Sequence, residues 1–548
     1  MTNSYHRLVG AATPFPSAHV DTFARDNLPP AEQWPGFIFD LPELRYPIQL
    51  NCAEALLDHT VSRLGGARPC LYDSSGAEWS YTKLLELVNR IAWVLVEDFG
   101  VVPGNRVLLR GPNTPWLSAC WLASLKAGAV VVTTMPMLRA SELRSCAEIA
   151  NVDLAICDER YVDDLVWAGV AGLEIVTYRD GAETELSWRA ARKPAKFAAV
   201  PTAADDVAII AFTSGTSGKP KATMHFHRDV LAIADTFSAH VVKPRPDDVF
   251  AGTPPLAFTF GLGGLLVFPL RVGAAAVQLD RTTPDQLFAA VPRYRVSVLL
   301  TAPTAYRAVL GRTGEFELGT LRRCVSAGEP LSGQTWHAFH EATGQRIIDG
   351  IGSTELLHVF ISAADGDIRP GATGRPVPGY RARVLDDVGE PVPPGVPGRL
   401  AVQGPTGCRY LADERQRQYV QNGWNITGDI YIQDDDGYFW YQARADDLIV
   451  SAGYKIAAPE VEEALTRHPD VVECGVAGVP DSARGWAVKA YVVLARGVTA
   501  DEHKVRELQD FVKREIAPYK YPRAIEFVAR LPRTHTGKLQ RAQLRRSA

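Results

Sequence analysis

Thr213-Ser-Gly-Thr-Ser-Gly-Lys-Pro-Lys-Ala-Thr223 decides how this chain is read. It follows Asp206-Val-Ala-Ile-Ile-Ala-Phe212, an apolar, β-branched run that predicts a buried strand, and a segment with helical spacing is expected after it. Gly215 and Gly218 let the backbone turn with its N–H groups facing a common centre. Thr213, Ser214, Thr216 and Ser217 add hydroxyls, and Lys219 and Lys221 add positive charge, which together make a cradle for phosphate. The competing reading is a solvated Gly/Ser turn with two surface lysines. The spacing differs from the nucleotide loop of kinases and GTPases, where a Ser or Thr follows the lysine; here Pro220 follows Lys219.

Working outward, 548 residues are too many for one hydrophobic core and predict two to four packed units. The net charge of −4, with both signs interspersed, recommends neither nucleic acid nor an anionic membrane as a partner. Eight scattered cysteines without a Cys-x-x-Cys pair predict free, mostly buried thiols and a cytoplasmic setting. The apolar stretches 116–137 and 256–279 are interrupted by Lys126, by Arg271 and by glycines, so no membrane span is expected.

Residues up to about 45 read as an irregular arm that wraps a surface. Strand-like runs at 106–109, 129–132, 154–156, 173–176, 207–212, 275–279 and 296–300 alternate with helical spacing, which predicts a parallel, doubly wound α/β sheet. A Gly- and Pro-rich stretch from 369 to 404 predicts a small β-rich subdomain. Beyond about 446 come a helix, two strands and a second helix with apolar Val505, Leu508, Phe511, Val512 and Ile516, a compact α+β module.

Three further motifs bear on chemistry. Ile347-Ile-Asp-Gly-Ile-Gly-Ser-Thr-Glu355 is a strand ending in a Gly-Ser-Thr-Glu turn, where a carboxylate suits a hard cation such as Mg²⁺; a plain helix cap is the alternative. Thr427-Gly-Asp429 offers a carboxylate for ribose hydroxyls or a turn aspartate. Pro532-Arg-Thr-His-Thr-Gly-Lys538 is a glycine-bearing loop near the C-terminus, whose lysine is solvated unless something brings it to a site. His225 with His227, and His337 with His340, lack a third ligand nearby and are not expected to hold metal.

Taken in order, these residues resemble the adenylate-forming superfamily, the acyl-CoA synthetases, luciferase-like enzymes and peptide-synthetase adenylation domains, over essentially the whole chain. The resemblance implies a large N-terminal domain, residues 1–445, of doubly wound sheets plus a small β-barrel-like subdomain, and a small mobile α+β domain, residues 446–548. It assigns the ATP phosphates to Thr213, Ser214, Gly215, Thr216, Ser217, Gly218 and Lys221, and magnesium to Glu355, with Thr354 beside it in catalysis. Ala327, Gly328, Glu329, Asp349, Gly350 and Ser353 line the nucleotide, Asp429 and Arg444 hold the ribose, and Lys538 is the lysine essential for adenylation. Asp446 is the hinge about which the small domain turns, bringing the face of Gly453, Tyr454 and Lys455 forward for the thioester step with coenzyme A.

A narrower resemblance, to benzoate- and 2-aminobenzoate-CoA ligases, rests on Phe258-Thr-Phe-Gly-Leu-Gly263, Gly352-Ser-Thr-Glu-Leu-Leu-His-Val359 and the arm Asp26-Asn-Leu-Pro-Pro-Ala-Glu-Gln-Trp-Pro35. It implies a small aromatic carboxylic acid as substrate, bound by Phe258, Thr259, Phe260, Gly261, Gly352, His358 and Val359. Where benzoate enzymes carry Ala-Tyr this chain has Thr259-Phe260, which turns the expectation toward 2-aminobenzoate. On the residues alone His358 is equally a satisfied core histidine. The alternatives are a benzoate or salicylate ligase, an adenylating enzyme that loads a carrier protein, and a non-catalytic nucleotide sensor. A monomer or homodimer is expected.

Overall fold

A computed structural model describes residues 16–213, 220–280, 282–445, 448–451, 454–481, 485–516, 518–533 and 539–546. Two large sheets are built from the apolar runs. In the first, Glu174–Tyr178, Leu154–Asp158, Arg106–Arg110, Val130–Thr134 and Val207–Thr213 lie side by side and parallel, and Lys221–Phe226 closes the edge antiparallel. The second has nine strands. Its parallel centre runs from Ile347–Gly352 through Arg323–Ala327, Val298–Thr301, Val249–Gly252 and Ala275–Val277 to Pro69–Tyr72, with antiparallel strands at both edges.

Strands buried on both faces read as unbroken apolar runs, which is why this part of the sequence is transparent. The helix Pro115–Lys126 is buried throughout except at Trp116. Thr114 caps its first turn by accepting from the Leu117 N–H, and Pro115 sits where a missing N–H costs nothing. Lys126, which interrupts the apolar run, is 1% exposed and bonded to Asp58 at 2.5 Å and Asn89 at 2.6 Å. A buried ammonium survives because it is paired.

One expectation fails at the central stretch. The segment after the loop is not helical at first: Lys221–Phe226 is a strand that pairs back onto Val207–Thr213, and the helix begins only at His227. The hairpin forms because Ala222, Met224 and Phe226 enter an apolar cluster on one face, while Thr223 and His225 are buried on the other.

The β-rich unit is a five-stranded antiparallel sheet of Arg381–Leu385, Gly398–Gln403, Trp424–Gln433, Val420–Gln421 and Phe439–Arg444. The arm ties it to the first sheet. Trp34 packs on Phe226 at 5.9 Å, the Gly36 N–H donates to the Gly423 carbonyl at 2.8 Å, and Phe37 bridges Gly404. The last sheet, centred on Val471–Asp481 and Gly485–Leu494, also takes Leu448–Ser451, Tyr454–Ala457 and Ala524–Phe527, and has its own apolar core under Ala458–Thr466 and Glu502–Glu515. All eight cysteines are buried and unpaired. Among the described residues, no helix is long and apolar enough to cross a membrane.

Candidate active site

Val207–Thr213 of the first sheet and the parallel pair Arg323–Ala327 and Ile347–Gly352 of the second end at one long cleft, where open α/β sheets present their ligand groups. Thr213, Lys221, Ala327, Gly328, Glu329, Asp349, Gly350, Ser353, Thr354, Glu355, Asp429 and Arg444 all border it. The far wall comes from the C-terminal unit, including Glu462, Cys474 and Arg541. Ser214, Gly215, Thr216, Ser217, Gly218, Asp446, Gly453 and Lys538 lie outside the described residues, and of Tyr454 and Lys455 only the backbone strand is described.

The Gly-Ser-Thr-Glu turn is held from two sides. Ser353 Oγ accepts from the Leu356 N–H at 3.2 Å. His225, reaching across from the hairpin, lies with Nε2 2.8 Å from the Thr354 carbonyl. A carbonyl only accepts, so Nε2 carries the hydrogen. Glu355 is 8% exposed, and Tyr410 donates its phenol hydrogen to Glu355 Oε1 at 2.6 Å. Lys221 Nζ in turn donates to the Tyr410 oxygen at 3.3 Å. Burial first, and then the Glu355 charge, push the Tyr410 phenol far above its ordinary value, so it remains a neutral donor. The helix-cap alternative does not describe this turn, which leads through Leu357 at φ +66° into the strand Val359–Ser362.

Gly328 stands at φ +89° with open space where a side chain would project, so a flat ring can approach its backbone. Beside it, Glu329 accepts from the Thr304 hydroxyl at 2.5 Å. Asp429 is no turn residue. It sits inside Trp424–Gln433 opposite Arg444, whose Nη1 lies 3.2 Å from Asp429 Oδ1 and 3.2 Å from the Thr427 carbonyl. Burial raises the Asp429 carboxyl more than Arg444 lowers it.

Asp349 is raised to about 8, chiefly by burial, against a smaller downward pull from the Gly350 N–H. An acid whose folded pKa lies above its unfolded one stabilises the fold fully only below the unfolded value, and that stability is lost as pH rises through the folded one. Asp349→Asn is therefore expected to match the parent at pH 4 and to exceed it at pH 9 by about 2 kcal/mol or more in urea unfolding. Equal gains at both pH values would contradict this.

Phe258, Thr259, Phe260, Gly352, His358 and Val359 line the adjoining end of the cleft. Gly261 does not. It packs behind the wall, where an added Cβ would meet the Pro255 carbonyl at 2.1 Å and the Pro254 carbonyl at 2.6 Å, so it shapes the wall without facing a ligand. His358 is 2% exposed among Phe237, Phe260 and Phe268, with ring centroids 5.3, 5.6 and 4.7 Å away. It is not a satisfied core histidine: among the described residues neither ring nitrogen has a hydrogen-bond partner. Burial pushes it down to about 3, against a smaller upward pull from the Phe260 backbone, so the ring is neutral.

A hydroxyl- and lysine-flanked hairpin, a buried glutamate turn and a carboxylate paired with arginine all lie in the N-terminal unit and face a wall from the C-terminal one; the family match covers both units. The model of the AMP-binding enzymes matches residues 57–410, and that of the AMP-binding enzyme C-terminal domain matches residues 460–538. The chain belongs to the AMP-binding enzymes, the adenylate-forming acyl-CoA ligases. Benzoate–CoA ligase of Thauera aromatica is 34% identical over 521 residues, 92% of this chain and 97% of that one. 3-Hydroxybenzoate–CoA ligase of Aromatoleum sp. (strain CIB) is 31% identical, over 90% and 96% of the two chains. Among solved structures, the anthranilate CoA ligase AuaEII in complex with anthranoyl-AMP superposes with a TM-score of 0.86 at 32% identity, covering 93% of this AMP-binding enzyme and 99% of that chain.

Sequence reasoning missed Tyr410 and His225. Tyr410 stands 55 positions from Glu355 and 189 from Lys221, so no local spacing announces it. His225 was legible only as one of two neighbouring histidines. They do not converge: His227 turns to Cys52, 3.1 Å from its sulfur. His340 meets the Gln345 carbonyl at 3.2 Å. An unforeseen cluster of His468, Asp470 and Glu507 has ligand atoms close enough for a cation, but Lys504 Nζ already lies 2.6 Å from Asp470 and 2.7 Å from Glu507.

Proposed function

We propose that this AMP-binding enzyme activates an aromatic carboxylic acid with ATP and passes the acyl group to coenzyme A, with 2-aminobenzoate the favoured acid. The observation that carries the aryl reading is the end of the cleft beside Glu355, where the Phe260 and His358 rings stand 5.6 Å apart among apolar neighbours. Such an aromatic wall suits a flat ring, and Phe260 offers it a face. The similar benzoate–CoA, 3-hydroxybenzoate–CoA and anthranilate CoA ligases point the same way.

The ortho-amino preference rests on two polar groups. Thr259 and His358 both border this end of the cleft, and among the described residues neither His358 nitrogen makes a hydrogen bond of normal geometry. Thr259→Ala is expected to lower the preference for 2-aminobenzoate over benzoate by about 1 kcal/mol, one hydrogen bond, read as the ratio of kcat/KM values. An unchanged ratio removes Thr259 from the selection.

In the first half-reaction the substrate carboxylate attacks the α-phosphorus and pyrophosphate leaves. Two anions meet, so the work is positioning and charge stabilisation. Lys538 bridges the carboxylate and the α-phosphate, Lys221 and the 213–218 loop hold the phosphates, and Asp429 with Arg444 holds the ribose. Magnesium fits Glu355 on its donor chemistry: one carboxylate oxygen is engaged by Tyr410, and the other, with no partner among the described residues, is a hard donor on the cleft. A magnesium ion held by Glu355 would supply Lewis-acid charge to offset that of the leaving pyrophosphate.

In the second half-reaction the thiol attacks the acyl carbon and AMP leaves. We assign residues 1–445 and 446–548 to two domains with Asp446 as the hinge, a division supported by the sheets: one ends at Phe439–Arg444 and the next begins at Leu448–Ser451. Assays of AMP and thioester formation over benzoate, 2-aminobenzoate, salicylate and short aliphatic acids, with coenzyme A or a carrier protein as acceptor, test the proposal. An aliphatic acid, or a carrier in place of coenzyme A, as the best substrate would overturn it.

A further inference from the structure

Tyr410 is the one side chain among the described residues that touches both Lys221 and Glu355. Its backbone is fixed independently of those contacts. Tyr410 bridges Thr223 on the hairpin strand Lys221–Phe226, the flanking backbone pairs with the same strand through Met224 N–H to Arg409 O and Leu411 N–H to Ala222 O, and Gln416 Oε1 accepts from the Tyr410 N–H at 2.9 Å. The ring packs edge-on against Tyr419 at 5.7 Å. The phenol is thus delivered to Glu355 by a rigid support, while Glu355 itself stands on a turn.

We propose that Tyr410 is a positioning residue for the metal–nucleotide step: by engaging Oε1 it turns Oε2 of Glu355 toward the cleft as the preferred donor, and it ties that carboxylate to the lysine at the foot of the phosphate loop. A free carboxylate on a turn can rotate and can bind a cation through either oxygen or both. A phenol donor at 2.6 Å restrains that rotation and disfavours those alternatives. The same hydroxyl accepts from Lys221 Nζ, whose ammonium also lies 5.2 Å from the Tyr410 ring centroid. A displacement of either partner is therefore felt by the other. Hydrogen-bond partners of metal-binding carboxylates carry about 10- to 100-fold in metal affinity.

The inference rests on Glu355 as the cation ligand, and the experiment separates the two. Mn²⁺ is titrated into the full-length protein saturated with a non-hydrolysable ATP analogue, and the bound ion is followed by electron paramagnetic resonance. Tyr410→Phe, which deletes one oxygen and keeps the ring on Tyr419, is expected to weaken Mn²⁺ about tenfold. Metal-free binding of the analogue should stay within about twofold, and the discrimination between aryl acids should not move. In a Glu355→Gln background the same substitution should have no further effect on Mn²⁺. If Glu355→Gln alone leaves Mn²⁺ affinity intact, the ligand assignment falls. If Glu355→Gln weakens it but Tyr410→Phe does not, or Tyr410→Phe weakens it equally in both backgrounds, the positioning role falls alone. Loss of folding in Tyr410→Phe also counts against it, since a group that only aims a carboxylate is dispensable for the fold.

Discussion

Glu355→Gln lowers the rate of acyl-adenylate formation by about 10²-fold or more, the scale of removing one charge-stabilising group from a preorganised site. The substitution keeps the side-chain volume and still presents an oxygen to the Tyr410 phenol, so the turn between Ile347–Gly352 and Val359–Ser362 retains its supports from His225 and Ser353. What is lost is the negative charge facing the cleft. The defect should appear in kcat for pyrophosphate release and in the magnesium concentration needed for half-maximal rate, with KM for the aryl acid little changed. A variant whose only defect is a higher KM for the acid would mean that Glu355 belongs to acyl binding.

Lys538→Ala is expected to reduce adenylation by about 10²-fold or more, while thioester formation from a supplied acyl-adenylate is hurt less. The asymmetry follows from charge. In adenylation a cation must bridge a carboxylate and an α-phosphate that repel each other, whereas the thiol step meets a neutral acyl carbon, and the proposed rotation about Asp446 has taken the Lys538 loop out of the cleft. Single-turnover measurement of each half-reaction checks this. Equal losses in both would place Lys538 in folding or in general nucleotide affinity. The loop's neighbours are consistent with such access: Leu531, Arg533 and Leu539 border the same cleft as Glu355.

The sheets were legible because their strands are buried on both faces and therefore read as apolar runs between turn residues, as at Val130–Thr134 and Val298–Thr301. The closing strand Lys221–Phe226 was not, because polar members of it pair with distant partners: His225 Nε2 meets a carbonyl 129 positions away and Lys221 Nζ a phenol 189 positions away. Asp429 looked like a turn for a related reason. Gly428, at φ +78°, marks an irregular step within the strand and not its end. At the site, residues grouped in short motifs could be found from spacing. Tyr410, held by strand pairing and aimed at residues from two other motifs, became visible only when the chain was folded. Gly261 went the other way: the resemblance placed it among the acid-binding residues, but the short helix Thr259–Leu262 turns it toward the Pro254 and Pro255 carbonyls.

Acid-dependent exchange of labelled pyrophosphate into ATP, run without coenzyme A, tests the core of this account most directly. Reversible adenylation predicts label in ATP only when magnesium and a suitable aromatic acid are both present, with 2-aminobenzoate among the best, and exchange falling at least 10²-fold in Glu355→Gln and in Lys538→Ala. Purified, folded protein that exchanges no pyrophosphate with any carboxylic acid would contradict it.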